Sequence, residues 1–420
     1  MVIKPDIPKK EFKIKFIESI AYALMSIVKK PFKVCLITYH YSENKRSFNN
    51  GVAVHAYYLS RELAKYGLEV HVFSRGEKNN KKTEYIGEGK VVVHRIDTKF
   101  KPGIKDNVVQ KRISYFIFDN KIINEITKEH SRESFDIIHT HGWLTSGAFI
   151  SKYFNDVKWI HTFHALEKNR VKFMSNDEKK YFQIVKWMES TINYSDSLIA
   201  VSDMLKKEVI YSYPVSPEKV NYIPNGVDLG LFNRENNSDD KSILHIGRFS
   251  LEKGVDLLPG IIGNILERNK EIKFVLVASD GNIPSSLKKV KNELDELEKK
   301  YDRFTWHREI ISREEVCELF KKCLIYIQPS RYEAFGLTVL EAMACGKAVI
   351  VSDIGGLSEV VENAGLIIPL KEDLFAKEIL RLTEDLKLRE RYGRRGFERA
   401  KLFSWKDVAK ETFDLYKGIS

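Results

Sequence analysis

Short apolar runs alternate with amphipathic stretches along the chain, and the hydrophobic period switches between strand-like and helix-like. In the first half, residues 33–38 (KVCLIT), 69–74, 135–139 (FDIIH), 158–162 and 197–201 each read as a buried strand. Residues 242–246, 273–278, 324–328 and 348–352 do the same in the second half. Residues 52–66 form an amphipathic helix that Gly67 closes, and Ser202 is placed to N-cap a helix over 203–211. Residues 285–300 read as a charged surface helix and 372–420 as helical. Strands alternating with helices predict an α/β protein.

The stretch from 324 to 356, LIYIQPSRYEAFGLTVLEAMACGKAVIVSDIGG, carries the most chemistry. Pro329 and Ser330 stop its first strand, Gly336 opens a helix and Gly346 is suited to end it. In open α/β sheets ligands sit beyond the carboxyl ends of strands, where this loop falls. The amides of Phe335, Gly336 and Leu337 lie at a helix N-terminus, which favours an anion such as phosphate. Glu333 and Glu341 both reach the space in front of it, and carboxylates there suit sugar hydroxyls. The alternative is an ordinary strand–helix–strand crossover with solvated glutamates.

At 420 residues the chain suits two domains. The polar run 236–241 (NNSDDK) is its most linker-like segment. Four cysteines without CxxC spacing point to core packing in a reducing compartment. The net charge of +11 suits phosphorylated donors, anionic membranes or nucleic acid, and equally a lysine-rich solvated surface. No uncharged apolar stretch is long enough to span a bilayer, and no cleavage site for a secretory signal follows the first apolar segment. Residues 11–30 place apolar side chains at helical spacing between lysines. Such a helix lies on an anionic membrane surface, or else packs on the protein or a second copy.

Three histidines, His139, His141 and His164, stand at or just beyond the ends of two strands. Each serves as a hydrogen-bonding or proton-carrying group, or as a core histidine. A zinc site among them is not expected, because no cysteine or acidic ligand stands at metal spacing. Gly247 allows close backbone approach, and Arg248 and Lys253 either grip a phosphate or form a solvated basic loop.

EAFGLTVLE resembles the Glu-x7-Glu signature of retaining, family 4 type glycosyltransferases of the GT-B fold, and EAMACGKAVIVSDIGGLSEVV continues the likeness. HGW at 141–143 is similar to the HDW of glycogen and starch synthases, with glycine in place of aspartate. The resemblance covers residues 32–403 and implies two Rossmann-like domains facing across a cleft. An acceptor-side domain spans 32–235 and a nucleotide-sugar-binding domain 236–403, with the N-terminal helix at 1–31 and a helix at 404–420 crossing back.

The resemblance also implies roles. Arg248 and Lys253 bind the donor diphosphate with Gly247, Phe335, Gly336 and Leu337, and Glu341 holds the ribose. Glu333 holds hydroxyls of the transferred sugar, and His141 contacts that sugar, making His141, Glu333, Arg248 and Lys253 the catalytic set. Of the family's glycine-rich first loop only Gly51 carries over, and His164 and Trp143 are acceptor-side candidates. With no Asp-x-Asp in the chain, no metal and no cofactor is expected. The implied activity is retaining transfer of a hexose from a nucleotide-diphospho-sugar to a glycan or lipid-linked acceptor. The expected location is cytoplasmic, on the inner face of the membrane if residues 11–30 bind it, with no nucleic-acid partner. A soluble glycogen-synthase-like glucosyltransferase is the alternative, and a non-catalytic nucleotide-sugar-binding subunit the reading from another class.

Overall fold

The computed structural model describes residues 31–41, 51–76, 83–87, 91–98, 108–142, 150, 153–173, 179, 186, 189–234, 240–281, 283–309 and 312–420. The helix expected at 11–30, Trp143 and most of the polar run 236–241 lie outside the described residues.

The apolar runs of the first half become an eight-stranded sheet: β1 (Lys33–Ile37), β2 (Glu69–Arg75), β3 (Thr83–Ile86), β4 (Val91–Ile96), β5 (Ile137–His141), β6 (Lys158–Phe163), β7 (Ser197–Ala200) and β8 (Val220–Tyr222). Their order is β3-β4-β2-β1-β5-β6-β7-β8. All pairs are parallel except β3 with β4. The second half gives a six-stranded parallel sheet of β9 (Ser242–Ile246), β10 (Lys273–Val277), β11 (Phe304–His307), β12 (Ile325–Gln328), β13 (Ala348–Ser352) and β14 (Leu366–Ile368). Its order is β11-β10-β9-β12-β13-β14.

Among the described residues of the first half the longer helices are α1 (Gly51–Lys65), α2 (Val108–Arg132) and α3 (Asp203–Ser212). Those of the second half are α4 (Leu258–Arg268), α5 (Lys288–Lys300), α6 (Arg313–Lys322), α7 (Leu337–Ala344), α8 (Gly355–Val361), α9 (Glu372–Glu384), α10 (Leu386–Ala400) and α11 (Trp405–Ile419). The stretch 372–420 is thus three helices, because Asp385 and Ser404 each accept an amide N–H of a new helix, from Leu388 (2.9 Å) and Asp407 (3.0 Å). Strands β3, β4, β11 and β14 and helices α2, α4, α6 and α8 have no counterpart in the sequence reading. β3 is a four-residue edge strand with one buried side chain, too short and too polar to give a periodic signal.

β5 begins two residues later than its pattern suggests and runs through His141. His139 and His141 therefore share one face of the sheet, with ring centroids 4.3 Å apart. Thr140 faces the other way and bonds His161 and Trp159.

The two sheets are tied together at several points. The segment after β8 meets the start of α11 through Val227 N–H donating to Phe403 C=O at 2.8 Å. Trp405 then stacks on Tyr58 of α1 at 5.3 Å, and Tyr416 bonds His139 at 2.6 Å. On the other side, Glu359 of α8 accepts the amides of Asp203 and Met204 at 2.7 and 2.6 Å, placing a carboxylate at the positive end of α3. One apolar cluster runs without a break from Phe163, Leu198 and Leu205 to Phe335, Val339 and Leu357.

Gly226 sits where this crossing is tightest: a Cβ there would lie 2.6 Å from the Trp405 nitrogen and 2.8 Å from its ring. Gly226→Ala is expected to destabilise the protein by roughly 1–3 kcal/mol, the usual penalty for overpacking. A denaturation midpoint equal to wild type would show that α11 yields without cost.

Candidate active site

In each sheet the strand order reverses beside one strand, β1 in the first and β9 in the second. The carboxyl ends of these strands leave open crevices, the usual ligand positions in such sheets. Here the two crevices face one another across a cleft of about 830 Å³.

On the second sheet's side, the loop between β12 and α7 forms the floor. Gly336 is the N-cap of α7 with φ of +102°, a left-handed conformation that favours glycine, and a Cβ there would lie 2.6 Å from Leu357. Behind it, α8 presses so closely that a Cβ on Gly356 would lie 2.3 Å from the Glu333 carbonyl oxygen. The backbone at Phe335, Gly336 and Leu337 is thereby held at the cleft, with α7 pointing its N-terminus into it.

Gly247, Arg248, Lys253, Glu333 and Glu341 all line this cleft, from four different segments. Each cation among them already has a carboxylate. Arg248 donates to Glu252 at 2.9 Å, and Lys253 donates to Glu333. Glu341 accepts from Arg313 of α6 at 2.7 Å and is buried; burial pushes its carboxyl pKa up, against the pull of the Arg313 charge. Glu252 also accepts from Arg170 at 3.0 Å, and Arg170 in turn donates to Glu167. Burial disfavours the charge on Glu252, but Arg248, Arg170 and Lys253 outweigh it and hold the carboxyl down at about 2.

Glu252, Arg313 and Arg170 are absent from the sequence reading. Glu252 had a local signal, since it stands between the two cations in LEKG. Arg313 had none, because its partner is 28 residues away, and the Glu167 pair of Arg170 does not announce its second partner, Glu252, 82 residues away.

On the first sheet's side, His141 ends β5 and His164 follows β6, both at the cleft. Gly51 opens α1 where a Cβ would lie 3.2 Å from the Leu337 side chain, so the two halves nearly touch. The sequence groups His139 with His141 and His164, but His139 turns both ring nitrogens inward, to Tyr416 at 2.6 Å and Thr162 at 2.7 Å. His55 of α1 stands beside the other two instead, with ring centroids 5.1 Å from His141 and 4.7 Å from His164. His141 Nδ1 and His164 Nε2 lie 3.3 Å apart, and His55 Nδ1 bonds the Asn225 side-chain oxygen at 2.7 Å. Burial lowers the proton affinity of all three, to about 4 for His55. The neighbouring imidazoles depress His141 and His164 further.

Two Rossmann-like sheets facing across a cleft, with a helix N-terminus and cations on one wall and histidines on the other, define the GT-B glycosyltransferase class. The similarities agree. The family described as Glycosyltransferase Family 4 matches residues 49–231, and that described as Glycosyl transferases group 1 matches residues 231–399. The alpha-maltose-1-phosphate synthase of Mycolicibacterium smegmatis is 27% identical over 322 residues, 70% of this chain and 82% of that protein. An uncharacterized glycosyltransferase of Methanocaldococcus jannaschii is 26% identical over 92% of this chain and 98% of its own. Among solved structures, sucrose-phosphate synthase from Thermosynechococcus elongatus superposes with a TM-score of 0.77 at 23% identity, covering 92% of this chain and 98% of that one. The chain belongs to the group 1, family 4 type glycosyltransferases and is an enzyme of that class.

The histidines make stability pH-dependent. Their folded-state pKa values lie below the unfolded 6.5, so the unfolded chain binds more protons as pH falls through that value toward about 4. Stability is therefore lost in that window, by at most roughly 1.4 kcal/mol per pH unit for each histidine. Chemical denaturation between about pH 7 and about pH 5 should show uptake of more than one proton on unfolding. A flat profile would mean that the imidazoles are protonated in the fold.

Proposed function

We propose that the protein transfers a hexose, with retention at the anomeric carbon, from a nucleotide-diphospho-sugar to a hydroxyl of a membrane glycan or glycolipid. The observation that carries this reading is the convergence of Arg248, Lys253 and the N-terminus of α7 on one wall of the cleft, opposite His141 and His164. A diphosphate entering there takes Arg248 from Glu252 and Lys253 from Glu333. These cations and the helix amides then offset charge on the departing diphosphate, without reorganisation at the moment of reaction.

Release of Lys253 frees the Glu333 carboxylate to accept sugar hydroxyls. Arg313 keeps Glu341 oriented and its charge favours the carboxylate form that burial disfavours, leaving one oxygen for the ribose. His141 meets the sugar from the opposite wall as a neutral imidazole, able to give or accept one hydrogen bond without repelling an oxocarbenium-like centre. Same-face attack lets a departing phosphate oxygen take the acceptor's proton, and no protein nucleophile is required.

The membrane acceptor is favoured by the lysine-flanked apolar segment at 11–30 and places the enzyme on the inner face of the membrane. A soluble α-glucan acceptor is the second reading. HGW at 141–143, similar to the HDW of glycogen and starch synthases, favours it. A panel of labelled nucleotide-sugars, incubated with either acceptor class and with anionic vesicles, decides between them. Transfer to neither class above donor hydrolysis would overturn the reading. In the same assay Arg248→Ala should weaken nucleoside diphosphate binding by roughly 1.5–3 kcal/mol. Unchanged affinity by calorimetry removes Arg248 from the donor site.

The proposed charge balance needs no divalent metal. Protein stripped with chelator should keep most of its transfer rate. A loss that magnesium or manganese restores would count against Arg248, Lys253 and the α7 amides as the charge-stabilising set.

A further inference from the structure

The histidine group on the first sheet's wall has features that sugar binding leaves unexplained. His55 is 2% exposed and does not line the cleft, so no hydroxyl of a bound sugar reaches it. Its Nδ1 faces the Asn225 oxygen and is the donor in that bond, which leaves Nε2 as a bare lone pair. That Nε2 is buried without a hydrogen-bond partner. An unsatisfied buried acceptor costs free energy unless something occupies it.

We propose that His55, His141 and His164 form a binding site for a zinc-like divalent ion, with the fourth position open to the cleft. One ring nitrogen from each lies within 4.8 Å of the other two. Zinc–imidazole bonds of about 2.0–2.1 Å in tetrahedral geometry require nitrogens about 3.3 Å apart. His141 Nδ1 and His164 Nε2 already stand 3.3 Å apart, a hydrogen-bond contact in the metal-free protein and also the separation of two ligands of one ion. The two edges to His55 are within 4.8 Å, and a shift of that ring toward the other two closes them. Asn225 supplies the outer contact that metal-bound histidines generally make through their second nitrogen, fixing the tautomer. Three neutral imidazoles with one open position is a ligand set that zinc accepts. Burial keeps these rings unprotonated at neutral pH, as ligation requires.

The site has a functional consequence that rests on the transfer reading above. An ion bound there takes hold of His141, the ring that meets the sugar in that reading, so metal loading and turnover exclude one another. Zinc is then an inhibitor of this enzyme and not its cofactor, the same outcome as the transfer expected of chelator-treated protein.

The test uses the full chain, free of donor and stripped of metal, titrated with Co²⁺ and followed by visible absorption. The expected result is the intense spectrum of a four-coordinate ion, at one ion per chain, displaced by Zn²⁺. His55→Gln should lower the affinity by more than the about 10–100-fold that loss of an outer-sphere partner costs. Retained nucleoside diphosphate binding would show that this variant folds, and His164→Gln, at a partly exposed position, provides a second variant should it not. A weak six-coordinate spectrum, or equal affinity in wild type and both variants, means an adventitious ion only and overturns the site. Zinc should suppress transfer in wild type, with chelator restoring it, and unimpaired transfer at full loading overturns the exclusion. A four-coordinate spectrum with no transfer under any condition would sink the glycosyl reading alone.

Discussion

Charge taken out of water must be paired, and the whole second-sheet wall of the cleft is arranged around that constraint. Arg170, Arg248 and Glu252 share one network, Lys253 and Glu333 another, and Arg313 and Glu341 a third. Without a ligand the carboxylates serve as the anions. In the proposed transfer a diphosphate replaces two of them because it offers more oxygens, in a place where a helix N-terminus adds its own partial charge. Glu252 has a further part: it joins Arg248 after β9 to Arg170 after β6, so charge on the second half is coupled to the first.

The same constraint accounts for the opposite wall. Histidines can be buried there in number because imidazole, unlike guanidinium or carboxylate, can give up its charge. His139 and His161 are satisfied as neutral rings by hydroxyls from neighbouring residues. His55, His141 and His164 are crowded together with two Nε2 atoms, those of His55 and His141, left unpartnered. One wall is therefore a balanced set of ions and the other a set of neutral donors and acceptors. That asymmetry suits a substrate with a charged leaving group at one end and hydroxyls at the other.

Both walls depend on the seams between the sheets. Trp405 on Tyr58, Tyr416 on His139 and Glu359 on the α3 N-terminus set the distance across the cleft. Among the described residues no helix is long and apolar enough to cross a membrane.

The strand runs, the N-cap at Ser202, the loop from Pro329 to Gly336 and the cations at 248 and 253 were all legible in the sequence. Each rests on residues within a few positions of one another, where hydrophobic period, capping chemistry and a contiguous motif carry the information. The edge strand β3 and helix α2 were not, because their patterns are short or polar and packing alone selects them. What the tertiary structure decided was partnership. His55 belongs with His141 and His164, and His139 does not, because strand order and the position of α1 settle which rings meet. Arg313 reaches Glu341, and Arg170 reaches Glu252, across separations at which a linear pattern carries no signal. The sequence by itself determined the strongly patterned elements and what chemistry each brings to its strand end; only the packing of one sheet against the other determined which of those groups share a site.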